Sequence, residues 1–156
     1  MIPLTRAPVA HAQMLIRKPV EQVFEAFADP AVTTKFWFTK SSGRLEEGRS
    51  IRWEWEMYGV GTDVEVKRVV PNERIVIEWG APNPSTVEWT FVPQEEGTFV
   101  TVKNSNFNGN GDEIVAEAID SMGGFTMVLC ALKALLEHGV VLNVVADRAP
   151  DSRSES

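Results

Sequence analysis

Polar and apolar residues alternate without interruption over residues 50–57, and this alternation constrains the fold more than any other part of the chain. The segment reads Ser-Ile-Arg-Trp-Glu-Trp-Glu-Met. Successive side chains of a β-strand point to opposite faces of a sheet, so the four apolar residues share one face. These residues are Ile51, Trp53, Trp55 and Met57. A face with two tryptophans and a methionine suits either a packed core or a pocket for an apolar molecule.

The same period of two recurs along the middle of the chain and predicts an antiparallel meander. It is present in residues 60–70, 74–79, 85–92 and 98–107, and turn-forming residues such as Gly, Pro and Asn separate these segments. Residues 10–17 read as a first strand. Short strands joined by tight turns are typical of one sheet whose neighbours follow one another in sequence.

Two short helices are predicted between the first strand and the meander. The first begins after Pro19 and ends at Asp29-Pro30, because the residue before a proline avoids the helical region. Its apolar stripe consists of Val20, Val23, Phe24 and Phe27. The second is predicted from Pro30 to about Phe36.

Residues 112–138 contain no proline and predict a long helix that ends at Gly139. An apolar stripe follows helical spacing along this segment. Its members are Ile114, Ala118, Met122, Phe125, Leu129, Leu132 and Leu136. Gly123 and Gly124 interrupt the stripe, at a cost of about 1 kcal/mol each relative to alanine. They predict a bend, or a place where the helix backbone comes close to the sheet.

Length, charge and cysteine content limit the classes to which the protein can belong. With 156 residues, a net charge of −7 and one cysteine, we expect a single domain over residues 1–146 and a disordered polar tail over 147–156. The negative charge and scattered basic residues argue against nucleic acid and membrane surfaces as partners. A single cysteine forms no internal disulfide, and no run has the character of a signal peptide or membrane span, so a cytoplasmic location is expected.

The order of the elements and several local motifs resemble the helix-grip superfamily, also called START-like or SRPBCC. Residues 16–38, which include Lys-Pro-Val-Glu-Gln-Val-Phe and end in Phe-Trp-Phe, resemble its opening. They look closest to the branch named after the activator of a heat-shock chaperone's ATPase. The turn at 69–73, Gly97-Thr98 and the segment 124–137 agree with this branch, and the resemblance covers residues 10–139.

The resemblance implies an α+β fold in which a curved antiparallel sheet of six to seven strands surrounds a long C-terminal helix. It also implies a function among lipid and hormone carriers, polyketide cyclases and chaperone co-factors, because one fold hosts several functions.

The space between sheet and helix is the predicted binding site for a small apolar or aromatic molecule, such as a lipid, sterol or polyketide. If the apolar strand faces point inward, the carboxylates of the central strands point outward, and general acid–base catalysis lacks a group in the cleft. The inward polar residues are then Thr62, Asn104, Asn106 and Ser121. The candidate ligand-binding residues are Trp37, Trp53, Trp55, Met57, Thr62, Trp79, Trp89, Asn104, Ser121, Met122, Phe125 and Leu129.

No catalytic residue, metal site or cofactor is predicted, because His11, Cys130 and His138 do not have ligand spacing. Three alternatives remain open. The tryptophans suit a solid core as well as a pocket. An enzyme related to polyketide cyclases or hydrolases would take its polar groups from the inward residues or from loop residues, namely Asn104, Asn106, Asp112, Glu113 and Ser121. A chaperone-associated protein would bind a protein partner and have an empty, rigid core.

Residues 125–136 are apolar on nearly every side of the predicted helix. The sheet covers one stripe and leaves an outer set that needs other cover, namely Met127, Cys130, Ala131 and Ala134. Either the apolar segment 140–145 folds back over it, or a second subunit supplies the same face in a homodimer. We expect the homodimer, because 140–145 is short relative to the helix.

Overall fold

Seven antiparallel strands form one curved sheet in the computed structural model of the chain, which describes residues 4–152. The strands are β1 (Ala10–Ile16), β2 (Lys40–Ser41), β3 (Ser50–Trp55), β4 (Val60–Val70), β5 (Arg74–Trp79), β6 (Ser85–Gln94) and β7 (Gly97–Ser105). Their spatial order is β1-β7-β6-β5-β4-β3-β2, so β2 to β7 form the predicted meander and β1 joins it beside β7. The α+β helix-grip architecture is therefore confirmed.

The two faces of the sheet have opposite chemistry, as the alternation predicts. On β7, Thr98, Val100, Val102 and Asn104 are buried, which settles the inward register of that strand. The outer face carries cross-strand ion pairs of exposed side chains, and such pairs contribute little to stability. Examples are Arg52 with Asp63 at 3.0 Å and Arg74 with Glu88 at 2.5 Å.

β3 ends two residues earlier than the alternation predicts. Residues Glu56–Tyr58 form a 3₁₀ turn that Gly59 closes with a φ of 64°. Met57 is therefore not on the strand face with Trp53 and Trp55, and its predicted place in the pocket is wrong. It lines a separate crevice beside Leu142 and Val144 instead.

Two helices, α1 (Val20–Ala28) and α2 (Pro30–Thr33), cover one end of the concave face. Phe24 and Phe27 of α1 pack against Phe91 of β6, with ring centroids 5.5 and 6.0 Å apart. The second helix is shorter than predicted. Thr33, its last residue, turns its hydroxyl back to donate to the carbonyl oxygen of Ala26 at 2.6 Å.

The long helix α3 (Gly111–His138) contributes its apolar inner stripe to the core inside the sheet. Asn110 accepts a hydrogen bond from the Glu113 amide at 2.9 Å and starts the helix, and Gly139 ends it with a φ of 64°. By length and composition alone α3 is also apolar enough to cross a membrane, which corrects the expectation that no run has this character.

One member of the predicted stripe of α3 lies on its outer side. Phe125, Leu129 and Leu132 are buried as predicted, but Met122 is 46% exposed. Ser121 and Phe125 are one helical turn apart, so they take the inward positions and leave Met122 facing solvent.

After Gly139 the chain returns beside α3 through a short helix, α4 (Val144–Asp147), and a 3₁₀ turn (Pro150–Ser152). Val144 and Val145 pack against the core, and Ala131 is 3% exposed. The chain's own C-terminal segment thus supplies part of the cover for which a second subunit was expected. The segment expected to be a disordered tail is ordered up to Ser152, and residues 153–156 lie outside the described residues.

Candidate functional site

An aromatic cluster fills the space between β3, β5, β6 and α3, and Trp37 lies at its centre. The Trp37 ring centroid is 4.9 Å from that of Trp53, 5.9 Å from those of Trp79 and Trp89, and 5.6 Å from that of Phe125. The segment before β2 brings Trp37 to this position, while the alternation of the strands brings the other tryptophans. The predicted convergence of aromatic side chains on the concave face is therefore present.

The inner half of this cluster is solid core. Trp53 and Trp89 are each 1% exposed, and Leu129 is fully buried. Phe38 stacks on Trp53 with a centroid distance of 4.6 Å. The structure leaves these residues no open space for a ligand, so their predicted place in a pocket is wrong.

The outer half of the cluster borders an open cleft of about 520 Å³. Its apolar lining comes from the segment before β2, from β3, the 3₁₀ turn after it, β4, β5 and α3, and from the C-terminal segment. It includes Trp37, Trp55, Tyr58, Val60, Trp79, Phe125, Met127, Val128 and Val145. Its polar lining comprises Asn104, Glu117, Asp120, Ser121, Arg148 and Ser152. Half of the residues that line a hollow of similar volume beside α1 are charged, so the aromatic cleft is the better candidate for an apolar ligand.

A buried polar chain joins α3 to the sheet at the floor of the cleft. Ser121 donates from its hydroxyl to Oδ1 of Asn104 at 2.9 Å. The Asn104 amide nitrogen donates to the Thr86 carbonyl oxygen at 2.8 Å and to the Ser85 hydroxyl at 3.1 Å. Asn104 is 2% exposed, so these bonds replace the water that its amide loses on folding.

The C-terminal segment forms the outer wall of the cleft, and two contacts hold it. The Tyr58 hydroxyl donates to the Val145 carbonyl oxygen. The guanidinium group of Arg148 pairs with Asp120 of α3 at 3.2 Å. We call residues 144–152 the strap.

The paired glycines of α3 make room for the strap. A Cβ atom on Gly124 would lie 3.1 Å from Nη1 of Arg148, and one on Gly123 would lie 3.5 Å from Nη2. The predicted close approach at these glycines is real, but Arg148 approaches them and the sheet does not.

The predicted site residues fall into distinct groups. Those that line the cleft are Trp37, Trp55, Trp79, Asn104, Ser121 and Phe125. Thr62 lines an adjoining hollow of about 280 Å³ that shares Trp55 and Trp79 with the cleft. Met122 faces solvent, and Asn106 is exposed and bonded to the Thr86 hydroxyl at 2.9 Å. Whether the lining residues bind a ligand remains a prediction.

Sequence reasoning missed Glu117, Tyr58 and the strap. Glu117 precedes Ser121 by one helical turn, so it shares the cleft side of α3, and that spacing was available in the sequence. Tyr58 and Arg148 gave no such signal, because their places depend on tertiary contacts.

The groups proposed for catalysis do not meet. Asp112 and Glu113 lie in the first turn of α3, outside the cleft, so Asn104 and Ser121 are the members of that set at the site. The clear pKa shifts also lie elsewhere; the hydrogen bond from Arg44, for example, lowers the pKa of Glu25 on α1. Within residues 4–152, no His, Cys, Asp and Glu side chains cluster in a way that would hold a metal ion.

The chain matches the model of the Activator of Hsp90 ATPase homolog 1-like protein family over residues 17–137. Among solved structures, SSP2350 from Staphylococcus saprophyticus is 33% identical with a TM-score of 0.76, over 86% of this chain and 96% of that one. DynU16, a protein of the dynemicin biosynthetic locus, is 25% identical with a TM-score of 0.74, over 94% of this chain and 49% of that one.

The Aha1 dimer from Colwellia psychrerythraea is 21% identical with a TM-score of 0.72, over 85% of this chain and 98% of that one, and this likeness concerns the fold. No curated protein sequence is significantly similar to this chain.

Proposed function

The chain belongs to the family of Activator of Hsp90 ATPase homolog 1-like proteins, and from this premise we propose that it is a carrier or sensor of a small apolar or aromatic molecule. The observation that supports this most is the open cleft of about 520 Å³ beside Trp37, Trp55, Trp79 and Phe125. Ligand pockets of small molecules are typically clefts of this size with apolar walls and a few polar groups that fix orientation.

The floor of the cleft suits binding better than proton transfer. Its floor is the Ser121–Asn104 pair, which contains a hydroxyl and an amide and no general base. Such groups orient a ligand through hydrogen bonds, while the aromatic walls supply contact area.

Titration of tryptophan emission with fatty acids, sterols, flavonoids and polyketides tests this proposal. Trp55→Phe reduces the ring that borders the cleft, so we expect affinity to fall about two- to tenfold, the range of about 0.5–1.5 kcal/mol for an aromatic contact. Trp53→Phe is the matched control, because this buried ring does not border the cleft. The proposal is wrong if no member of these four classes binds.

The alternative is an enzyme related to polyketide cyclases. DynU16 belongs to a biosynthetic locus, and Asn104 with Ser121 would be its polar groups here. Turnover of a polyketide-type substrate that Ser121→Ala abolishes, with substrate binding retained, would favour the enzyme. A chaperone-associated role, which the family name suggests, would instead appear as stimulation of Hsp90 ATPase activity.

We also propose that the chain forms a homodimer through the outer side of α3. Apolar side chains remain exposed there beyond the strap, and they define what we call the outer stripe: Ile119, Met122 and Cys130. These positions are three to four residues apart or a multiple of that spacing, so they share one side of the helix. The dimeric Aha1 structure of the same fold is consistent with this proposal.

A further inference from the structure

We infer that the cleft takes an amphipathic amine, that is, an apolar body carrying one protonated amino group. This inference rests on the proposed function and names the ligand class of the same cleft. The unused hydrogen-bonding groups and the net charge of the cleft support this ligand class.

The Ser121 hydroxyl offers the cleft an acceptor, because its proton is already used. The Asn104 amide is oriented by the Thr86 carbonyl oxygen, which only accepts, so the Asn104 nitrogen must face it at 2.8 Å. The Asn104 oxygen then faces Ser121 at 2.9 Å and must receive the hydroxyl proton. A ligand beside Ser121 therefore has to be a donor.

The Tyr58 hydroxyl in the wall of the cleft has likewise already used its proton. Its hydroxyl proton goes to the carbonyl oxygen of Val145, which leaves the phenolic oxygen as an acceptor. The two hydroxyl groups at the floor and wall of the cleft thus both favour a donor.

Glu117 adds an unneutralised negative charge. Its carboxylate makes no ion pair or hydrogen bond with any residue in the 4–152 range, whereas the other acidic lining residue, Asp120, is paired with Arg148. Because Asp120 neutralises Arg148, the net charge of the cleft is that of Glu117. The remaining polar groups are the exposed Ser152 hydroxyl, which can donate or accept, and the N–H groups of Arg148 that do not bond Asp120, which only donate.

The aromatic walls fit a cation next to Glu117. Trp55, Trp79 and Glu117 line both the cleft and the adjoining hollow, so one exposed carboxylate and two half-buried indole rings contribute to the same lining. The faces of such rings attract ammonium groups. Phe125 and Val128 lie one and two helical turns after Ser121 on α3 and make this part of the wall apolar. The apolar body of the ligand can pack against them.

Isothermal titration at neutral pH with three probes that share a biphenyl body tests the inference: biphenylmethylamine, biphenylmethanol and biphenylacetate. We expect the amine to bind about tenfold more tightly than the alcohol, and the carboxylate to bind most weakly. Glu117→Gln should reduce the advantage of the amine over the alcohol to about twofold or less. Glu95→Gln removes an equal charge from the exposed β6–β7 turn and should change neither affinity.

Every other outcome contradicts the amine inference. Equal affinities, or a preference for the carboxylate, overturn the amine inference and leave the proposed function intact. An amine preference that survives Glu117→Gln reflects the overall charge of −7 and also overturns the inference. If none of the three probes binds, the inference is wrong, and the proposed function is decided by the titrations with fatty acids, sterols, flavonoids and polyketides.

Discussion

The tryptophans of this chain lie in two environments that have different energetic roles. Trp53 and Trp89 are almost completely buried and belong to the hydrophobic core. Trp55 and Trp79 are half-buried and border the cleft. Burial of apolar area stabilises the fold in the first case, whereas in the second case part of the ring remains available to a ligand.

Truncation of one residue from each environment should separate these roles. Trp53→Ala removes a fully packed ring and leaves a cavity, so we expect the free energy of unfolding to fall by about 3–5 kcal/mol. Trp55→Ala should cost markedly less, because the cleft already borders its ring. Urea unfolding of both variants measures the difference, and equal costs would show that Trp55 is ordinary core.

At the scale of elements, two side chains of α3 fasten the end of the helix to the end of β1. Lys133 donates to the Leu15 carbonyl oxygen at 2.8 Å and to the Glu137 carboxylate at 2.7 Å. The Arg17 amide also donates to this carboxylate at 3.0 Å. Burial alone would raise the pKa of Glu137, but these hydrogen bonds and the charges of Lys133 and His138 outweigh it, so the pKa lies below its usual value of 4.5.

This fastening should make stability depend on pH. A carboxyl whose pKa is lowered in the folded state stabilises the fold above 4.5, and this contribution is lost as the pH falls through the lower folded value. We expect Glu137→Gln to cost about 1–2 kcal/mol at pH 7, and the variant and the parent chain to converge in acid. Denaturant unfolding across the acid range checks this. Glu95→Gln, which removes an exposed carboxylate, should run parallel to the parent chain throughout.

The elements that sequence reasoning predicted are those whose pattern is local. The strands from Val60 to Trp79 have the predicted bounds, because alternation records which face is buried. The strap could not be predicted, because Tyr58 and Arg148 meet Val145 and Asp120 only in the folded chain. The cleft was predictable only in part, also because of tertiary contacts. The alternation of the strands showed which aromatic residues point inward. It did not show which of these rings other side chains bury completely and which remain open to the cleft.

At the scale of the whole molecule, the outer stripe of α3 is the exposed apolar surface that the strap does not cover. Ile119 is 62% exposed and Met122 46%. The C-terminal segment adds Val140, Val141 and Leu142, each also exposed. Scattered apolar side chains on a surface are ordinary, but several on one side of a helix suit a contact between copies of the chain.

Light scattering coupled to size-exclusion chromatography tests the proposed dimer. We expect a dimer at micromolar concentration, and Met122→Lys should shift it to the monomer by placing a charge in the contact. Val92→Lys is the control, because Val92 is 50% exposed on the sheet and should not affect assembly. A monomer in the parent chain would overturn the proposed dimer and would mean that the outer stripe stays exposed to solvent.

The position of β1 beside β7 has a consequence for the chain as it leaves the ribosome. Ile16 lies opposite Thr98, so β1 cannot pair with β7 until nearly all of the sheet has been synthesised. Pairings so distant in sequence slow folding. The strap is made later still, after every strand and the whole of α3. A nascent chain therefore completes its core before it has a wall to hold a ligand, and binding competence is the last property that it acquires.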